Sequence, residues 1–330
     1  MAHGVFVDGV WQTEWYDTDT KKSGGRFVPS EPLFRNWVTA NGGPGPTGEG
    51  GFAAERGRYH LYVSLACPYA HRTIIFRKLK KLEDVISMTV VEPVMGERGW
   101  EFGTGPGTTP DTVNGKERLG EIYLLNDPRY TGRVSVPVLW DKERRKIVNN
   151  ESPEIIRMLN SAFAAFTEDR TDYYPAELRE AIDRVNARVY RSVNIGVYRA
   201  GFATTQEAYE EAFDDVFATL DWIEGILAKQ RYLVGSRLTE ADWRLFTTLL
   251  RFDAVYHGLF KCNLRRIADY HNLSNYLRDL YQVPGIAETV NMDHIKRHYY
   301  ISMTALNPTK IVPKGPTHDF AGRHDRGRFD

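Results

Sequence analysis

Only two cysteines, Cys67 and Cys262, occur in 330 residues, so no disulfide framework can support the fold. That scarcity fits a reducing compartment, and a cytoplasmic location is the expectation. Charge of one sign is not in excess either. The 43 basic residues balance 43 acidic ones, which removes any field-driven case for nucleic acid or membrane partners. No apolar run approaches the roughly 18 residues of a membrane span. The opening "MAHGVFVDGVWQTEW" lacks a cationic start followed by an apolar stretch, so no secretory signal is expected. A Walker-type phosphate loop is missing. Gly43, Gly45 and Gly48 formally satisfy G-x-G-x-x-G, but a dinucleotide site needs them between a strand and a helix, and Pro44 and Pro46 interrupt them. That segment reads as a flexible loop. No internal repeat is present.

What is there can bury a sizeable core and divide into two domains. Residues 1–55 read as an irregular extension with aromatic anchors at Trp11, Trp15, Phe27, Phe34 and Trp37. From 56 to 165 the pattern alternates as β-α-β-α-β-β-α. Strands are expected at 59–66 and 85–91, a helix at 68–82, and a short helix over "LGEIYLLN". A hairpin of "VSVPVLWD" with "RRKIVNN" follows, then a helix opening at Glu151-Ser152. From 172 to 300 the periods are helical, at 176–198, 205–229, 240–256, 273–282 and 292–300. Thr239 and Asp242 form a capping-box pattern, with Leu238 placed to staple onto Trp243. Residues 301–330 read as a tail whose Arg323, Arg326 and Arg328 are explained by solvation.

Cys67 stands where the strand pattern "YHLYVSLA" gives way to Pro68 and a cationic helix. Proline suits the first helical position, because its missing N–H would have no intrahelical partner. The thiol therefore falls at or beside an N-cap, where unpaired N–H groups and the macrodipole favour an anion. A thiol so placed is pushed towards thiolate, the nucleophilic form. A buried, inert cysteine is the alternative for any isolated thiol, but strand, Cys-Pro and cationic helix together favour a reactive one. Position 70 is alanine, so there is no Cys-x-x-Cys partner: a mixed disulfide at Cys67 has to be resolved by a second thiol molecule. Cys262 reads as structural.

A thioredoxin-like unit followed by helices resembles the glutathione transferase fold. The sequence is similar to one branch of it, the glutathionyl-hydroquinone reductases or Xi class. The stretches that carry the resemblance are "SLACPYAHR" (64–72), "RGWEF" (98–102), "VPVLWD" (136–141) and "NNESPEII" (149–156) in the first half. In the second half they are "GVYRAGFATTQEAYE" (196–210), "YLVGSRLTEADWRLFTTLLRFDAVY" (232–256) and "HIKRHYY" (294–300) with "NPTKIVPKGP" (307–316). Two positions depart from the family pattern: Tyr69 replaces the usual tryptophan after Cys-Pro, and Met303 stands where a histidine is expected.

The resemblance implies an α/β thioredoxin-like domain, an all-α domain, and glutathione as co-substrate with no metal, flavin or nicotinamide. It makes Cys67 the nucleophile that takes glutathione from a glutathionyl-hydroquinone. Val136, before Pro137, would pair with the cysteinyl segment. Ser152 and its helix N–H groups would hold the γ-glutamyl carboxylate, Glu151 the amine, and Trp100 and Arg133 would border the tripeptide. Tyr198 and Tyr299, with Tyr300 as the rival for the second, would hydrogen-bond the oxygens of the aromatic substrate. His71 is a tempting base but reads as a packing residue. A homodimer is also implied, with the extension and the 307–316 segment as candidate interfaces. The alternatives are another cysteine-type transferase, acting on dehydroascorbate or protein mixed disulfides, or a non-catalytic interaction module of the same fold.

Overall fold

The computed structural model describes residues 4–13 and 22–329, and Trp15, expected as an anchor, lies outside them. Two compact units form. The first gathers the described residues of Met1–Tyr16, Ser30–Asp172 and Thr289–Lys310. The second gathers those of Asp17–Pro29, Tyr173–Glu288 and Ile311–Asp330.

The extension begins with a hairpin rather than irregular chain: β1 (Val5–Val7) pairs antiparallel with β2 (Val10–Gln12). Its turn is Asp8-Gly9, both at positive φ, the geometry that a two-residue hairpin loop requires. The main sheet follows. Strand β3 (Tyr59–Val63), buried at every residue, leads through α1 (Pro68–Leu79) to β4 (Ser87–Val90), which lies parallel to it. A parallel pair needs such a crossover. After α2 (Leu119–Asn126) comes β5 (Gly132–Arg133), a two-residue strand against β1. The hairpin of β6 (Val138–Asp141) and β7 (Lys146–Asn149) completes the order β4-β3-β6-β7, and α3 (Ser152–Ser161) closes the unit. Strand β6 begins at Val138 instead of Val134, because Pro137 has no N–H for the ladder.

More of the extension edges this sheet. Asn36 N–H donates to the Val148 carbonyl (3.0 Å) and Asn150 N–H to the Phe34 carbonyl (3.2 Å), covering the outer side of β7. The glycine-rich 41–51 segment is stitched down rather than loose: Trp37 Nε1 donates to Thr47 Oγ1 at 2.9 Å and Gly51 N–H to the Gly42 carbonyl at 2.7 Å.

The second unit is helical, with α4 (Arg179–Val189), α5 (Gly196–Gly201), α6 (Gln206–Leu227), α7 (Glu240–Arg251) and α8 (His271–Tyr281). The capping box forms, Thr239 N–H donating to Asp242 Oδ2 at 2.8 Å. Asp242 is fully buried and also accepts from Leu233 N–H (2.9 Å) and the Tyr276 hydroxyl (2.7 Å). The C-terminal segment is not a solvated tail. Arg326 is fully buried and donates to the carbonyls of Leu227, Gln230 and Arg231, which α6 and its exit leave without helical partners.

Helix α9 (Met292–Arg297) and the wider turn His298–Ser302 cluster with the first unit, whereas 172–300 was expected as one helical domain. Hydrogen bonds explain it. His294 Nε2 lies 2.7 Å from the Pro106 carbonyl, His298 Nδ1 3.0 Å from that of Pro93, and Met95 N–H donates to Ser302 Oγ at 3.0 Å. No helix among the described residues is long and apolar enough to cross a membrane.

Candidate active site

The end of β3 delivers Cys67 to the N-cap of α1 in extended conformation (φ −75°, ψ 125°), with Pro68 as the first helical residue. Its carbonyl accepts the His71 N–H at 3.0 Å, the first helical bond, while its side chain stays at the helix mouth, half-buried. The thiol lies 3.6 Å from the Val136 carbonyl. The nucleophile candidate and the β5–β6 loop therefore face each other, and the Val136–Pro137 bond in that loop is cis.

That loop is held by two buried phenols. Tyr130 donates to the Arg133 carbonyl at 2.7 Å. Tyr123 donates to the Ser135 carbonyl at 2.8 Å and accepts from Ser135 N–H at 3.2 Å. Burial pushes both phenols above their ordinary pKa, so they stay protonated donors. Glycine is required at 132, where a Cβ would fall 2.6 Å from the Tyr130 hydroxyl.

At the start of α3, Glu151 is the extended N-cap and buried Ser152 the first helical residue. Asn149 Oδ1 accepts the Glu151 N–H at 2.7 Å, and its amide donates to Glu154 at 2.7 Å. Glu154 in turn pairs with Arg35 from the extension. Arg72, fully buried on α1, donates from Nη1 to Ser152 Oγ at 3.3 Å, with its guanidinium 4.9 Å from the Tyr69 ring. Arg72 thus places a cation at the N-terminus of α3, an arrangement that favours an anion there.

Trp100 is buried and stacks on His298, with centroids 4.8 Å apart and planes at 20°. A carbonyl can only accept, so His298 Nδ1 carries the hydrogen that bonds Pro93. Tyr299 is 1 % exposed, whereas Tyr300 is half-buried, with burial raising its phenol pKa. Met303 is buried just beyond them.

Cys67, Trp100, Arg133, Val136, Glu151, Ser152, Tyr299 and Tyr300 all fall in the first compact unit, where the Cys67 thiol approaches the Val136 carbonyl. Tyr198 belongs to the second, half-buried in an aromatic cluster with Phe27, Phe202, Tyr256 and Phe260. His71 is buried with Nε2 2.8 Å from Thr289 Oγ1, a packing role. Burial raises the Cys262 thiol to about 12, which makes it inert. Sequence reasoning missed Arg72, Tyr123, Tyr130 and His298. Arg72 alone had a local signal, as the one cation on the otherwise buried face of α1.

The chain is similar to known proteins over nearly its whole length. Residues 66–162 match the family model for the glutathione S-transferase N-terminal domain, and 206–279 that for the C-terminal domain. Glutathionyl-hydroquinone reductase YqjG of Escherichia coli is 57% identical over 324 residues, covering 98% of both chains. Glutathionyl-hydroquinone reductase PcpF of Sphingobium chlorophenolicum is 55% identical, covering 97% of this chain and 98% of its own. The glutathione-bound structure of YqjG superposes with a TM-score of 0.90 at 54% identity, over 98% of this chain and 99% of that one. A Xi-class transferase from Natrialba magadii gives 0.90 at 47% identity, over 99% of this chain and 98% of its own.

Proposed function

The chain belongs to the glutathionyl-hydroquinone reductase family of Xi-class glutathione transferases, and from that premise we propose that it reduces glutathionyl-hydroquinones to hydroquinones with glutathione as the reductant. The observation that carries the reading is the Cys67 thiol at the mouth of α1, 3.6 Å from the Val136 carbonyl.

The Cys67 thiolate attacks the sulfur of the conjugate. The sulfur–sulfur bond forms as the sulfur–aryl bond breaks, and the electron pair leaves on the ring. A proton taken up at that ring carbon gives the hydroquinone. Phenol donors at Tyr198 and Tyr299 stabilise charge on the ring oxygens as it develops; one such donor is worth roughly 3 kcal/mol in a dry site. A second glutathione thiolate then attacks the mixed disulfide, releasing oxidised glutathione and the Cys67 thiolate. The sum converts one conjugate and one glutathione into hydroquinone and glutathione disulfide.

The tripeptide lies against the Val136 backbone as an added strand. Its γ-glutamyl carboxylate meets Ser152 and the N-terminus of α3, where buried Arg72 backs the serine, and its amine meets Glu151. Trp100 and Arg133 border it. The enzyme works in the cytoplasm as a homodimer; light scattering that gives only monomer at working concentrations would remove that part. The test of the reaction is a substrate panel. Turnover of glutathionyl-hydroquinones that exceeds dehydroascorbate reduction is expected, and the reverse order would favour the other cysteine-type transferases.

A further inference from the structure

The N-terminal hairpin touches two places that the proposed reading assigns to glutathione. Strand β5 consists of Gly132 and Arg133 alone, and its neighbour in the β2-β1-β5 sheet is β1, in the register Val5 to Arg133 and Phe6 to Gly132. The turn is docked as well. Gly9 N–H donates to the Tyr130 carbonyl at 3.0 Å and Asp8 N–H to Thr131 Oγ1 at 2.9 Å. Gly9 fits only without a side chain, since a Cβ would fall 2.2 Å from the Pro128 carbonyl oxygen.

From the same hairpin, Trp11 reaches the other place. Its Nε1 donates to the Glu97 carbonyl at 3.1 Å, and its ring lies over Gly99, where a Cβ would come within 3.1 Å of it. Gly96 and Gly99 exchange two backbone hydrogen bonds of 3.1 Å, so Glu97 sits in a tight turn that ends immediately before Trp100. Phe6 locks the indole edge-on at 5.1 Å and packs against Gly120 in the first turn of α2, where a Cβ would fall 3.1 Å from its ring.

We infer that the hairpin Val5–Gln12 is a positioning element of the glutathione site, which fixes the Arg133 segment through β1 and the Trp100 turn through Trp11. The inference rests on the reading that Arg133 and Trp100 border glutathione. Physically, it replaces two independently mobile loops by one rigid frame, so the tripeptide meets both walls without ordering them first. Trp11 and Gly9 are thus positioning residues, and their loss weakens ground-state binding more than chemistry.

The test is steady-state kinetics of the full-length protein with a glutathionyl-hydroquinone at varied glutathione. Trp11→Phe keeps an aromatic side chain but loses the indole N–H with its hydrogen bond and the ring atoms over Gly99; Gly9→Val undocks the turn. For Trp11→Phe we expect the KM for glutathione to rise about 3- to 10-fold, the size of one hydrogen bond, with kcat within about twofold and an unchanged melting temperature. Gly9→Val should raise KM further. An unchanged KM in Trp11→Phe, or KM and kcat worsening only together with a lowered melting temperature, overturns the inference. Arg133→Ala and Trp100→Ala separate the two levels. If they raise KM and Trp11→Phe does not, the frame is wrong; if they too leave KM unchanged, the assignment of the glutathione walls fails and the frame falls with it.

Discussion

Alkylation at neutral pH should distinguish the two cysteines by several orders of magnitude. Cys262 is fully buried and its thiol is raised to about 12, so at pH 7 its thiolate fraction is on the order of 10⁻⁵ before access is considered. Cys67 is half-buried at the mouth of a 12-residue helix, where N–H dipoles stabilise the anion. A midpoint below the ordinary value of about 8.5 leaves at least about 3 % of it thiolate at pH 7. The ratio of labelling rates then exceeds roughly 10³. Iodoacetamide at limiting concentration, followed by peptide mass spectrometry, reads both sites in one sample. Repeating it from pH 5 to 10 gives the Cys67 midpoint, expected below the roughly 8.5 of an ordinary cysteine. Comparable rates at the two cysteines, or a Cys67 midpoint at or above that value, would refute the argument from helix placement.

The phenols make a second prediction: Tyr198→Phe and Tyr299→Phe should each lower glutathionyl-hydroquinone turnover about 10- to 1,000-fold, while exchange with a small mixed disulfide falls much less. Tyr300→Phe is the comparison, because Tyr300 is half-buried where Tyr299 is 1 % exposed; a larger loss there would exchange their roles. His60 bonds the hydroxyls of Ser87 and Thr89 at 2.7 and 2.9 Å, and burial lowers it to about 4. The unfolded chain binds a proton near 6.5 that the native state refuses, so stability present above that pH is lost as pH falls towards 4. The loss is roughly 3 kcal/mol, and urea midpoints should fall more steeply with acid than in His60→Gln. Arg326→Met removes three carbonyl contacts and should cost about 2–4 kcal/mol, read as a lowered urea midpoint; a change under about 1 kcal/mol would mean the C-terminal segment contributes little.

How far the sequence could be read depended on the range of the interactions involved. The passage from β3 to α1 was legible because periodicity changes at Pro68, and α2, α6, α7 and α8 began within two residues of their expected starts. The β1–β2 hairpin escaped notice although Asp8-Gly9 between valines is a hairpin signal; its strands have three residues each, too few to show alternation. The burial of Arg326 could not be read, since its partners lie about a hundred residues away and its neighbours are polar. The same holds for 292–302, whose periodicity announces a helix but not the Pro93 and Pro106 carbonyls that fasten it to the first unit. At the candidate site, local order marked Cys67 and the helix start at Ser152, whereas Val136 and Pro137 were singled out only by the family resemblance. The phenols of Tyr123 and Tyr130, which hold the loop between them, act through backbone atoms that no side-chain pattern reveals.

The central claim is that Cys67 accepts glutathione from the aromatic conjugate. The most direct measurement is intact-protein mass spectrometry after one equivalent of a glutathionyl-hydroquinone is added without further glutathione. One glutathione mass should appear on Cys67 as hydroquinone is released, vanish when glutathione is added, and never form in Cys67→Ser. Hydroquinone release without an adduct, or an adduct on Cys262, would contradict it.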